Sequence, residues 1–136
     1  MAYLWNKSLE TGYDEIDEQH KQLFNTLNDF VVACKEGKGA DSILKIIDFL
    51  TKYTIMHFTT EEVLMKKSNY SEFVYHKQCH DTFKETVGDL TKRLDEEGAS
   101  EDLLAAVTTT IGEWLITHIR VDDIKMAKFV KNSEAH

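Results

Sequence analysis

The chain has 136 residues, 42% apolar and 29% charged, which fits one globular domain over 1–136 and is too short for two independent cores. Its net charge of −8, from 24 acidic against 16 basic residues, repels a phosphate backbone, and the basic residues are scattered, so nucleic acid is not an expected partner. No run approaches the ~18 to 20 apolar residues of a membrane span, and residues 1–7 lack the basic flank and apolar run of a secretory signal. A cytoplasmic protein without membrane contact is expected.

Residues 1–15 read as an irregular arm, with Trp5 and Tyr13 packing over one end. From Ile16 the inward positions His20, Leu23, Phe24, Leu27, Phe30, Val31 and Cys34 follow in steps of three and four, one face of a helix stopped by Gly37 and Gly39. Asp41 is the expected cap of a second helix with the stripe Leu44, Ile47, Leu50, Thr54, His57, Glu61, Leu64 and Met65, ending in a polar turn over 66–69. Ser71 is the expected cap of a third, whose Phe73, His76, His80, Phe83, Val87, Leu90 and Leu94 are spaced like heptad positions up to Gly98. Ser100, followed by Glu101 and Asp102, opens a fourth, with Leu104, Val107, Ile111, Trp114, Leu115 and His118 inward. A short helical segment follows over 124–131. The absence of proline suits long helices, and short turns favour an all-α, antiparallel up-down-up-down four-helix bundle. The two cysteines, Cys34 and Cys79, are too few for a disulfide framework and are expected as buried thiols.

Five of the six histidines, His20, His57, His76, His80 and His118, fall on the inward stripes, and only His136 does not. One buried imidazole is ordinarily a hydrogen-bonded core residue, but five among Leu, Ile and Phe would each need a polar partner, and a shared metal satisfies them together. His57 with Glu61 and His76 with His80 are i,i+4 pairs that project from one helix face. Glu61 and an aspartate after His118 supply the anionic oxygen that imidazoles lack. Imidazole plus carboxylate suits iron, zinc or copper. Five histidines with two carboxylates exceed the four positions of a tetrahedral zinc, which argues for two metals. The repeated ExxH of four-carboxylate di-iron oxidases is absent, and a histidine-rich site favours carrier chemistry over oxidation of substrates.

These residues resemble the hemerythrin family, most closely its bacterial single-domain branch. The likeness covers nearly the whole chain: Trp5, TGYDEIDEQHKQL at 11–23, HFTTEEVLM at 57–65, HKQCH at 76–80 and WLITHIRVDD at 114–123. It implies one iron held by His76, His80 and His118, another by His20 and His57, and Glu61, Asp123 and an oxo or hydroxo group bridging both. Three imidazoles and three bridges fill the first iron, whereas two and three leave one position open on the second, where dioxygen binds reversibly as a hydroperoxide. Helical geometry alone favours Asp122 over Asp123, so the family's spacing implies a helix broken or kinked after His118, with Asp122 a solvated surface charge. Leu23, Phe58, Trp114, Leu115 and Ile119 fall at the family's pocket positions, where a dry lining protects the bound oxygen. Asp17, Gln19 and Thr117 are candidates for orienting ligand rings. The expected activity is oxygen storage, delivery or sensing, not catalysis, and a free-standing carrier is preferred to a signalling module. Peroxide or nitric oxide reduction, and a purely structural zinc, are the competing classes; no substrate cleft is legible.

Overall fold

The computed structural model describes residues 3 and 5–135. Helix α1 (Asp14–Lys35) buries Ile16, His20, Leu23, Phe24, Leu27, Phe30 and Val31, the face its spacing predicts, and Asp14, Glu15 and Asp17 meet the positive end of its dipole. Gly37, at φ +76°, turns the chain after it.

Helix α2 (Gly39–Lys67) starts earlier than expected, and no side chain caps it; Asp41 lies in its first turn instead. Gly39 is therefore a packing position and not a stop. A Cβ there would lie 2.8 Å from Cys34 Sγ and 2.9 Å from Leu104 Cδ1, so α2 begins where only bare backbone fits. Leu44 is 69% exposed, because Ile43, Ile46 and Ile47 take the inner face of these first turns.

Helix α3 (Phe73–Glu97) follows a turn in which Asn69 adopts φ 56°, and Glu72, not Ser71, stands at its cap without a side-chain bond. Helix α4 (Glu101–His118) is capped as expected, Ser100 Oγ accepting from the Leu103 N–H at 3.1 Å. That cap sets a register in which Leu103, Val107, Ile111 and Leu115 step inward by fours, leaving Leu104 only partly buried.

The fourth rod does not break after His118. Residues Ile119–Asp123 form one π turn, with the Ile124 N–H donating to the Ile119 carbonyl, and lead directly into helix α5 (Ile124–Glu134), which runs past the expected 131. A π turn admits one extra residue into a helix, the equivalent of the break the spacing implied.

Consecutive helices pack on one another and α1 also packs on α4, closing a four-helix bundle. Its apolar residues form two clusters. The larger runs from Leu23 through Phe30 on α1, Ile43 through Phe58 on α2, Phe83 through Leu90 on α3 and Leu103 through Leu115 on α4; the smaller comprises Ile16, Met65, Tyr70, Met126, Ala127 and Val130. Burying each such Leu, Ile or Phe contributes about 1.5–3 kcal/mol. Along each rod the inward histidines and carboxylates fall where the two clusters meet, so that layer is flanked by hydrocarbon, whereas Thr54 is buried within the larger cluster.

The arm is tied down at several points. Tyr3 donates its N–H to Asn28 Oδ1 at 2.8 Å, and its ring lies against Gly112, where a Cβ would come within 2.5 Å. A 3-10 turn over Lys7–Leu9 buries Leu9. Trp5 packs on the larger cluster and Tyr13 on the smaller, so they do not share one end as expected. Cys34 and Cys79 are free thiols, half-buried rather than buried. Among the described residues no helix is long and apolar enough to cross a membrane.

Candidate metal centre

The bundle brings all seven expected ligands into one buried layer. His20 comes from α1, His57 and Glu61 from α2, His76 and His80 from α3, His118 from the end of α4 and Asp123 from the π turn, each no more than 4% exposed. The sixth histidine, His136, lies outside the described residues. Two sets of converging donor atoms result: Glu61, His76, His80, His118 and Asp123 in one, His20, His57, Glu61 and Asp123 in the other, with the atoms of each set within 4.8 Å of one another.

The two carboxylates belong to both sets, and each divides its oxygens between them. Glu61 Oε1 lies 3.1 Å from His76 Nε2 and 3.0 Å from His80 Nε2, while Oε2 lies 3.0 Å from His57 Nε2 and 3.5 Å from His20 Nε2. Asp123 Oδ1 lies 3.0 Å from His76 Nε2 and 3.1 Å from His118 Nε2, while Oδ2 lies 3.0 Å from His20 Nε2. Asp123 reaches this layer because of the π turn. In uninterrupted α-helix the residue beneath His118 would be Asp122.

Glu61 Oε1 is within hydrogen-bonding geometry of His76 and His80, but the other close contacts of the layer are not hydrogen bonds. His20 Nε2, His118 Nε2, Glu61 Oε2 and both Asp123 oxygens are buried without a properly directed hydrogen-bond partner, despite contacts of 3.0–3.5 Å. Lone pairs that crowd together without directed donors are what a cation would satisfy, so the residues present fit a metal centre. Without metal, protons serve. Burial lowers the His20 and His76 pKa values, but the Asp123 and Glu61 oxygens outweigh it and raise both to about 9. Burial likewise opposes, and Asp123, Asp122 and Glu61 override, a rise of His118 well above the usual imidazole range. Burial pushes the Glu61 and Asp123 carboxyls up, as does Glu61's charge at Asp123, yet the surrounding imidazoles hold both well below the ordinary carboxylate range.

Three rings are aimed from behind. His57 donates Nδ1–H to Gln19 Oε1 at 2.7 Å, His80 to Glu62 Oε2 at 2.9 Å and His118 to Asp122 Oδ2 at 2.9 Å. Each bond occupies Nδ1 and turns the ring so that Nε2 faces the centre. Gln19 takes the role expected of it. Asp122 is not a solvated surface charge, since its side chain is 13% exposed and bonded to the ring one turn before it. Asp17 instead accepts from the Thr11 and Gly12 N–H groups, fixing the arm, and Thr117 is exposed. Glu62 was missed by sequence reasoning, because its partner lies on another helix and only packing pairs them.

The five expected pocket residues all join the larger cluster, Trp114 only partly buried. Phe58 stacks on His80 at 3.8 Å between centroids and Trp114 on His118 at 4.4 Å, so two of them also brace ligand rings. Leu23, Leu115 and Ile119 are each no more than 2% exposed.

A four-helix bundle enclosing a buried layer of imidazoles and two shared carboxylates defines a non-haem cation-binding protein. The chain belongs to the hemerythrin family: residues 11–130 match the family described as the hemerythrin HHE cation binding domain. It is 36% identical over 132 residues to the bacteriohemerythrin of Stenotrophomonas maltophilia (strain R551-3), covering 96% of this chain and 84% of that one. It is 29% identical over 123 residues to the myohemerythrin of Theromyzon tessulatum, covering 90% and 89%. A crystal structure of a hemerythrin with a leucine-to-tyrosine replacement superposes with a TM-score of 0.80 at 29% identity, covering 96% of this chain and 98% of that one.

Proposed function

We propose that the chain holds two iron ions and binds dioxygen reversibly at one of them, serving oxygen storage, delivery or sensing. It is a binding protein and not an enzyme. The observation that carries the reading is the unequal division of donors around two shared carboxylates: three imidazoles face one side and two face the other. On this reading His76, His80 and His118 would hold one iron and His20 and His57 the other, with Glu61 and Asp123 available to both. The side with fewer imidazoles keeps the position at which dioxygen binds. When bound, the iron pair supplies the electrons that make dioxygen binding strong yet reversible.

The remaining work falls to the protein. Gln19, Glu62 and Asp122 orient the rings, and Phe58 and Trp114 brace them from the side. Leu23, Leu115 and Ile119 line the position with hydrocarbon and exclude water, which would otherwise deliver protons and drive bound oxygen off in reduced form. The test is anaerobic reconstitution with ferrous iron, metal analysis and absorption spectra before and after air. Uptake of two irons per chain, with a visible band that appears in air and disappears under vacuum, is expected. Retention of a single zinc, or irreversible bleaching on the first exposure, defeats the proposal.

A further inference from the structure

Behind His57 lies a second contact of different character. Gln19, whose Oε1 accepts from His57 Nδ1–H at 2.7 Å, donates through its amide nitrogen to Thr60 Oγ1 at 3.3 Å and to Met56 Sδ at 3.6 Å. The Thr60 hydroxyl donates to the Met56 carbonyl at 3.2 Å and lies 3.9 Å from the same sulfur. Met56 is 42% exposed, at the edge of an open crevice of about 460 Å³ that it shares with Glu15, Thr59, Thr60, Val63 and Leu64. Met65 and Met126, by contrast, are fully buried in the smaller cluster. A surface sulfur is thus joined to the back of one ring of the centre through a single amide.

We propose that Met56 is an oxidative modification site, at which a peroxide converts the thioether to a sulfoxide and the new oxygen takes the Gln19 amide hydrogen, carrying the change to His57. The sulfur lone pair attacks one peroxide oxygen, the O–O bond breaks as the S–O bond forms, and sulfur is oxidised by two electrons. The departing hydroxide takes the proton from the transferred oxygen and leaves as water. A thioether is a weak acceptor and a sulfoxide oxygen a strong one. The 3.6 Å nitrogen–sulfur contact is too short to admit an oxygen along its own line, so the unbranched, part-exposed Met56 side chain turns to bring the new oxygen beside the amide, without movement of either helix. A stronger acceptor on the amide nitrogen polarises Gln19 and makes its Oε1 a better acceptor for the ring N–H of His57. The sulfur chemistry is independent of metal; only its consequence for a ligand rests on the di-iron reading.

The experiment uses the full-length chain, metal-free, exposed to dilute hydrogen peroxide. Proteolysis and mass spectrometry report each methionine, while nitrogen-15 imidazole spectra report the His57 ring. Met56 sulfoxide is expected to form at least about tenfold faster than sulfoxide at Met65 or Met126, with the His57 Nδ1–H resonance moving downfield and returning on treatment with methionine sulfoxide reductase. In Gln19→Leu, Met56 is expected to oxidise as before while the His57 resonance stays in place. Equal rates at the three methionines, an unmoved His57 resonance in the parent chain, or a shift that persists in Gln19→Leu overturns the proposal. Because these readouts are taken without iron, their failure leaves the di-iron reading intact, and a failure of iron uptake leaves them standing.

Discussion

Asp122 Oδ2 accepts a hydrogen bond from His118 Nδ1–H at 2.9 Å, although Asp122 is the residue that regular helical spacing would have placed in the buried layer beneath that ring. The π turn over Ile119–Asp123 separates two adjacent aspartates into different roles, one behind the ring and one in front of it. Asp122→Ala is therefore expected to retain the fold and weaken iron retention by about 10- to 100-fold. Asp123→Ala is expected to lose the paired site altogether. Iron content after graded chelator challenge distinguishes them, and equal retention in the two variants contradicts the assignment.

The arm is anchored where Tyr3 covers Gly112. A Cβ at 112 would lie 2.5–2.6 Å from the Tyr3 ring, so Gly112→Ala must displace that ring, at a cost of about 1–3 kcal/mol. In a Tyr3→Ala background the obstacle is gone, and the same change should stabilise by up to ~1 kcal/mol through helix propensity. Thermal melts of the four combinations test the reversal of sign. A destabilisation that persists without Tyr3 rejects the contact.

Protonation of the imidazole and carboxylate layer makes the chelated chain sensitive to alkali. His20 and His76 have pKa values raised to about 9, so the stability they contribute is complete below about pH 6.5 and is lost as pH rises through about 9. Glu61 and Asp123 are shifted downward, so their contribution is present above about pH 4 and lost only as pH falls through their lowered values. The melting temperature of the chelated protein should therefore decline between pH 7 and pH 10, and metal loading should release protons over the same interval. Circular dichroism melts and a proton-release titration measure both; a flat profile contradicts the protonated cluster.

Leu115 is 2% exposed, one helical turn before His118 on α4, and on the proposed reading it belongs to the oxygen pocket. Leu115→Ser opens that pocket to water and should shorten the lifetime of the oxygenated protein by about tenfold or more, with iron content unchanged. Decay of the visible band after air exposure measures it. An unaltered lifetime removes Leu115 from the oxygen pocket.

Inward spacing on the four rods was legible because helical period and buried polarity are local properties. His20 three before Leu23, His57 four before Glu61 and His76 four before His80 need only one helix each to be recognised as a face, whereas the smaller cluster, with Tyr70, Met126, Ala127 and Val130, lay outside the stripes. Short-range capping at Ser100 was legible for the same reason, whereas Asp41 lies inside a helix that already begins at Gly39 and Glu72, not Ser71, precedes α3.

Contacts between rods belong to the folded molecule alone. Glu62 on His80, Gln19 on His57 with Met56 behind it, and Tyr3 on Gly112 pair residues of different segments, and no periodicity within one segment specifies its partner. Asp122 and Asp123 show the division within a single dipeptide. Helical spacing alone favours Asp122 and only the family's spacing selects Asp123; the physical cause, one extra residue wound into 119–123, lies in the tertiary structure, because rotation about a helix axis is set by backbone hydrogen bonding and packing rather than by side-chain identity.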